Sequence, residues 1–195
     1  MRIKVLGADG QLGRDLLPKL GALALRRADC DLARSETVAP AVASAAVDVL
    51  VNCAAYNFVD RAENEPDIAF AVNALGVRLL ARECASAGAK LVHFSTDYLF
   101  GHSVRTEPYS ETDAPGPLSA YGASKLAGEH FVLAASARNL VIRTCGLYGA
   151  HGVGGKGGNF VETMLRLALE GKPIRVVNDQ RCTPTYTVDL ADATK

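Results

Sequence analysis

The stretch KVLGADGQLGRDLL, residues 4–17, decides the fold. A short apolar strand pattern ends at Leu6, glycines follow at Gly7, Gly10 and Gly13, and an amphipathic helix pattern begins at Gln11. In this context the first glycine permits a tight turn, the second lets backbone approach a pyrophosphate, and the third lets the helix pack closely on the strand. The stretch therefore predicts a dinucleotide-binding turn, although an ordinary β-to-α turn would contain the same glycines.

Short apolar runs alternate with longer helix-period segments along the rest of the chain. Runs such as DVLVNCA and KLVHFST are apolar on both faces, which is typical of parallel strands covered by helices on both sides. We expect an α/β fold with a doubly wound parallel sheet, the Rossmann fold. The predicted strands are 2–6, 22–26, 47–52, 90–95, 140–144 and 174–177. The predicted helices are 11–20, 36–46, 66–87, 119–136 and 159–170, with a glycine-rich loop at 149–159.

The composition limits the possible partners. The chain has 195 residues, 49% of them hydrophobic, with 21 basic and 21 acidic residues, so no net charge favours nucleic acid or an anionic membrane. Five scattered cysteines without a CxxC pair, and four histidines without a paired spacing, predict neither disulfides nor a metal site. The first residues contain no signal-peptide pattern, so we expect a cytoplasmic location.

The segment LRRADCDL after the second strand is expected to meet the adenosine end of a dinucleotide. Its candidates are Arg26, Arg27, Asp29, Asp31 and Leu32. A carboxylate holds a ribose 2′-hydroxyl and an arginine suits a 2′-phosphate. Both types are present, so the sequence leaves NADPH and NADH open.

A YxxxK pair lies in the predicted helix 119–136. The spacing places Tyr121 and Lys125 on one helix face, one turn apart. A nearby ammonium stabilises a phenolate, so the pair predicts a tyrosine with a lowered pKa that acts as a general acid. The alternative is a pair that faces solvent without a catalytic role.

Polar residues follow the fourth predicted strand. Ser95, Thr96 and Asp97 lie at its carboxyl end, where open α/β sheets bind ligands. Thr96 is the candidate to hold a substrate carbonyl, and the alternative is an ordinary strand-end turn. His93, in the middle of the strand, is predicted to be packed and not catalytic.

Seven motifs in order resemble the dTDP-4-dehydrorhamnose reductase family, within the extended short-chain dehydrogenases. They are GADGQLG, VNCAAYNFVDRAE, FAVNALG, HFSTDYLFG, YGASKLAGE, GGNFVETMLRLA and DQRCTPTY. The resemblance implies reduction of the 4-keto group of a dTDP-deoxysugar by NADPH or NADH, the last step of dTDP-L-rhamnose synthesis. It also implies a sugar-nucleotide substrate and a possible homodimer.

The resemblance also assigns roles to residues. Tyr121 would be the proton donor, Lys125 its electrostatic partner and ribose ligand, and Thr96 the residue that orients the carbonyl. Asp97 would touch the sugar. The cofactor would be lined by Gly10, Gln11 and Leu12 at the pyrophosphate, Asp31 and Leu32 at the adenosine, and Ala55, Tyr56 and Asn57 in the middle.

The resemblance has two departures. Gly146 stands where the family usually has a tryptophan that packs against the sugar, and Arg181 replaces a commoner small residue. Family members also extend about a hundred residues further, as a second lobe requires. We therefore expect a dinucleotide-binding domain at 1–145 with the start of a substrate-binding part at 146–195, most of the C-terminal substrate lobe being absent.

Two other functions remain possible from the sequence. A sugar-nucleotide epimerase or dehydratase would share the fold, the cofactor and the Tyr121–Lys125 pair, but dehydratases usually have a glutamate where this chain has Tyr98. A non-catalytic NAD(P)-binding regulator, resembling the regulatory subunit of methionine adenosyltransferase, is the alternative from another class.

Overall fold

A computed structural model describes residues 1–43, 46–101, 105–152 and 158–195. Its main sheet has five parallel strands in the order β2-β1-β3-β4-β5. The strands are β1 (Ile3–Leu6), β2 (Leu23–Leu25), β3 (Val49–Asn52), β4 (Lys90–Thr96) and β5 (Leu140–Thr144). This order confirms the predicted doubly wound sheet and places its switch point between β1 and β3.

Helices cover both faces of the sheet. They are α1 (Gln11–Leu20), α2 (Ser35–Ala43), α3 (Val59–Ala62), α4 (Pro66–Phe70), α5 (Val77–Ser86), α6 (Ala120–Ala135), α7 (Phe160–Leu169) and α8 (Thr187–Thr194), with a π-helical turn (Ala71–Gly76) between α4 and α5. Neighbouring strand residues such as Leu50 and Val51 belong to different core clusters. Both strand faces are therefore apolar, as the buried runs in the sequence predict.

The predicted bounds agree with the structure within a few residues for most elements. The predicted helix 66–87 is continuous but contains the π-helical turn. Residues 44–45 of the predicted helix 36–46, residues 153–157 of the predicted loop, and His102 lie outside the described residues. Within the described chain, no helix is long and apolar enough to cross a membrane, and no group of side chains could hold a metal ion.

The predicted strand 174–177 is wrong. These residues form no strand, and Ile174, Val176 and Val177 are 44%, 55% and 66% exposed. The segment has no partner strand among the described residues, so β-propensity alone does not make it extend a sheet.

The segment after β5 packs on the same domain. It forms two short parallel strands, β6 (Leu147–Tyr148) and β7 (Thr185–Tyr186), which pair with each other. Helix α8 then lies against α1, and its Leu190 and Ala191 join the core beside Leu12 and Leu16.

Candidate active site

The turn between β1 and α1 has the shape that its glycines predict. Gly7 has a φ of +77°, in the left-handed region that side chains rarely adopt. A Cβ on Gly13 would lie 2.4 Å from the carbonyl oxygen of Gly7, and a Cβ on Gly10 would lie 3.1 Å from it. Gly7 and Gly13 are therefore required by the backbone, while Gly10 keeps the approach to the helix start open.

The first turn of α1 presents backbone amides beside these glycines. Gly10 precedes the helix, and no side chain of the described residues caps it. The Gln11 side chain is already engaged, because its Nε2 donates to the Leu147 carbonyl at 3.0 Å and its Oε1 accepts from Asn159 at 3.0 Å. Gln11 and Leu12 can therefore offer their N–H groups to an anion, where the helix dipole also favours negative charge.

The segment after β2 contains a carboxylate that is bonded to an arginine. Asp31 accepts from the Ala33 N–H and from Arg27 Nε, both at 3.0 Å. Burial raises the pKa of Asp31, but these hydrogen bonds outweigh it and the net shift is downward. Leu32 is only 4% exposed. Arg26 lies at the glycine turn, where its Nε is 3.3 Å from an Asp9 carboxylate oxygen.

The loop after β3 is held by a buried asparagine. Asn73, with 0% exposure, accepts from the Tyr56 N–H and donates to the Tyr56 carbonyl, both at 2.9 Å, and also donates to Ser124 Oγ at 3.0 Å. It therefore ties the loop with Ala55 and Asn57 to the helix that carries Lys125. Asn73 lies in the π-helical turn, and such turns are frequent at functional sites.

The carboxyl end of β4 brings three predicted residues together. Thr96 is 5% exposed, accepts from the Tyr98 N–H at 3.2 Å and donates to Asp97 Oδ1 at 3.3 Å. Thr96 also lies close enough to the Tyr121 hydroxyl to act on its pKa, which it lowers. The ring of Tyr98 packs edge-on against that of Tyr121, with centroids 5.6 Å apart. Burial, and after it the nearby Asp97, raise the pKa of the Cys145 thiol to about 12.

The predicted lowering of the Tyr121 pKa is wrong for this structure. Burial raises the pKa of Tyr121 to about 12, and the nearby Thr96 side chain offsets this only in part. Lys125 is 3% exposed, and burial lowers its pKa from 10.5 to about 8. Burial disfavours both charged forms, so it holds the proton on Tyr121 and loosens the proton on Lys125.

Lys125 also has an acidic neighbour on its own helix. Glu129 is 2% exposed and raises the pKa of Lys125 against the larger effect of burial. Arg143 binds Glu129 with two guanidinium nitrogens, Nε at 3.0 Å and Nη2 at 2.8 Å. Arg143 therefore holds the Glu129 carboxylate in place on α6, one helical turn after Lys125.

Sequence reasoning missed several of these contacts. Asn52 and Asn73 are polar residues inside apolar runs, VNC and VNA, and this pattern could have singled them out. His93 is packed, as predicted, with 0% exposure, but it also contacts Lys125. The pairing of Gln11 with Asn159 joins residues 148 positions apart, and no local pattern predicts it.

Comparisons with known proteins identify similar chains. A family model described as the RmlD substrate binding domain matches residues 1–195. The chain is 47% identical over 197 residues to a dTDP-4-dehydrorhamnose reductase of Mycolicibacterium smegmatis and 42% identical over 197 residues to one of Sinorhizobium fredii. These matches cover 98% and 99% of this chain, and 58% and 64% of the two relatives.

A solved structure is also similar to this chain. The dTDP-4-dehydrorhamnose reductase of Bacillus anthracis in complex with NADP has a TM-score of 0.91 to this chain and 39% identity. The likeness covers 99% of this chain and 69% of that one. The chain therefore matches these proteins along its whole length and spans about three fifths of the length of the two curated relatives.

Proposed function

Since the chain belongs to the dTDP-4-dehydrorhamnose reductase family, we infer that it carries the cofactor-binding and proton-donating part of a sugar-nucleotide reductase. The proposed reaction reduces dTDP-4-dehydrorhamnose to dTDP-L-rhamnose with NADPH or NADH. The observation that carries the proposal is the contact of Tyr121 with Thr96 at the carboxyl end of β4, one helical turn from the buried Lys125.

The chain's residues fit a dinucleotide. The glycine turn is closely packed at Gly13, where a Cβ could not fit, and is exposed at Gly10, beside the amides that the start of α1 has for a pyrophosphate. Asp31 and Leu32 would meet the adenosine, and Ala55, Tyr56 and Asn57 the middle of the cofactor. When bound, the nicotinamide supplies the hydride.

The chain's own part of the reaction is proton delivery. Tyr121 is protonated at neutral pH because its pKa is about 12, so it can donate to the alkoxide that develops on the sugar. Thr96 has a hydroxyl that can turn from Asp97 to the carbonyl oxygen and orient it. Lys125 in its ammonium form would hold the ribose and stabilise the phenolate left on Tyr121.

The second half of the site is also a proposal. Residues 1–145 would bind the cofactor and contain the Tyr121–Lys125 pair, and residues 146–195 would begin the substrate-binding part, with Asp97 touching the sugar. Gly146 is exposed, and a Cβ at this position would have no atom within 4 Å, so the sugar side is open there.

Two further features of the whole protein stay predictions. A homodimer is supported by Leu75 and Leu133, which are 57% and 53% exposed on two elements that pack against each other. Sedimentation of the protein at several concentrations would test it, and a monomer throughout would contradict it. The cytoplasmic location is the second, and it stays an expectation from the sequence.

The test is titration with NADPH and NADH, followed by nicotinamide fluorescence, before and after addition of dTDP-4-dehydrorhamnose. We expect binding, then oxidation on addition of the sugar. We expect Tyr121→Phe to lower turnover about 100-fold or more with cofactor affinity nearly intact. Unchanged turnover in that variant would contradict the proton donor, and binding without any oxidation would point to a missing lobe, another sugar or the non-catalytic regulator.

A further inference from the structure

Three polar side chains from β3, β4 and α6 contact one another inside the core. Asn52, His93 and Lys125 are 1%, 0% and 3% exposed. Asn52 Nδ2 lies 3.0 Å from His93 Nδ1, and His93 Nε2 lies 3.4 Å from Lys125 Nζ. Buried polar groups need partners of the right kind, so the direction of each hydrogen bond can be derived.

The backbone fixes the orientation of the asparagine. The Ala54 N–H donates to Asn52 Oδ1 at 3.0 Å, so the amide NH₂ of Asn52 faces the histidine. An NH₂ group only donates, and His93 Nδ1 must therefore accept. Burial lowers the pKa of His93 well below its usual value, so the ring is neutral and its one proton lies on Nε2.

This proton points at Lys125. An ammonium group has no lone pair, so a charged Lys125 would place its own N–H against the N–H of His93. An uncharged amine has a lone pair and accepts from His93. The Phe94 carbonyl, 2.7 Å from Nζ, can accept from either form, and it is the only acceptor of a Lys125 proton found among the described residues.

None of the other ionisable groups around Lys125 described here favours its uncharged form. Glu129 on α6 and Cys53 after β3 both raise the pKa of Lys125, and Arg143 on β5 binds Glu129. Tyr121 on α6 is neutral at pH 7. His93 on β4 is thus the neighbour whose hydrogen-bond direction disfavours a positive charge on Lys125.

We propose that His93 is a positioning residue for Lys125: Asn52 holds its ring in the Nε2–H tautomer, which weakens the hold of Lys125 on its proton until a bound cofactor supplies acceptors. The cofactor in this statement rests on the proposed function. The consequence is that cofactor binding at and above about pH 8 would be coupled to proton uptake by Lys125, because the ribose hydroxyls would accept from the ammonium form.

The tautomer can be measured without any activity. Long-range ¹H–¹⁵N spectra of the histidine rings, recorded between about pH 5 and about pH 9, should show His93 neutral with its proton on Nε2 throughout. A proton on Nδ1, or a charged ring in this range, would overturn the proposal. Neither outcome depends on whether the chain binds a cofactor, so failure here is distinct from failure of the reductase assignment.

A double-mutant cycle tests the effect on Lys125. Asn52→Asp gives His93 a carboxylate that accepts from Nδ1–H, so Nε2 turns its lone pair to Lys125. We expect the pH at which NADPH affinity falls to rise by about one unit. The added charge alone could do the same, so Asn52→Asp is repeated with His93→Leu, where the shift should drop to less than half.

An equal shift in both backgrounds would show a direct charge effect and would refute the role of His93. No shift with Asn52→Asp alone would also refute it. If the chain binds no NADPH, the proposed function is refuted, and the pKa of Lys125 is measured instead from its side-chain ¹⁵N resonance. That pKa should rise by about one unit with Asn52→Asp, and by less than half as much when His93→Leu is also present.

Discussion

Replacing Lys125 by methionine tests how much the burial of its charge costs the folded chain. The pKa of Lys125 is about 8 in the folded chain against an ordinary 10.5, so the folded state binds fewer protons than the unfolded state between these values. Stability therefore rises with pH over this interval, and the cost is fully present below about pH 8. It amounts to about 3 kcal/mol at pH 7 and about 1 kcal/mol at pH 10.

Methionine keeps the length of the side chain and removes the charge and the hydrogen bond to the Phe94 carbonyl. The lost bond costs about 1–2 kcal/mol. We expect Lys125→Met to be more stable than the parent by about 1–2 kcal/mol at pH 7 and to lose this advantage by pH 10. Its reductase activity should be lost.

The assay is urea unfolding followed by far-ultraviolet circular dichroism, since the chain has no tryptophan. The stability difference between variant and parent is compared at several pH values, so that groups common to both cancel. Lys172→Met, which removes a lysine that is 59% exposed, is the control. A constant difference for Lys125→Met would refute the buried-charge reasoning.

Three more predictions follow from the site. Gly13→Ala should lower the free energy of unfolding by about 2 kcal/mol and weaken dinucleotide binding at least about tenfold, because the new Cβ would lie 2.4 Å from a backbone oxygen. Gly146→Ala, whose Cβ would have no atom within 4 Å, is the control in unfolding and binding assays. Arg26→Ala should weaken NADPH about tenfold and leave NADH within about twofold, measured by fluorescence titration; equal losses would contradict a 2′-phosphate contact. Glu129→Gln should destabilise the chain by about 3 kcal/mol, because the partly buried Arg143 loses its partner. Because Glu129 raises the pKa of Lys125, the pH at which NADPH affinity falls should also move down. A move to higher pH would contradict this reasoning.

The fold was predictable because its signals are local and repeated. The glycine turn follows β1 and starts α1 as its spacing predicts, and the helix 11–20 and the strand 140–144 agree residue for residue. The strand 174–177 failed because β-branched residues favour an extended chain only beside a partner strand. The short strands β6 and β7 were missed because two residues carry no periodicity.

The candidate site was predictable only in part, because motif spacing gives neighbours along one element. Tyr121 and Lys125 share a helix face, so their relation follows from sequence. The contact of Tyr121 with Thr96 and of Lys125 with His93 depends on how α6 lies against β4, and this is set by packing. The direction of the Tyr121 pKa shift was missed for the same reason, since burial is a property of the assembled layers.

Burial also separates this Tyr–Lys pair from one that occurs by chance on a solvent-facing helix. An exposed lysine with an ordinary pKa would keep its charge up to about pH 10 whether or not a ligand were present. In this chain the same loss of water raises the pKa of Tyr121 to about 12 and lowers that of Lys125 to about 8. The free site therefore holds the proton that a reduction consumes, so no ionisation has to precede the chemical step. The positive charge of Lys125 is most favourable where a ligand brings acceptors to it, which couples the electrostatics of the site to the presence of the cofactor.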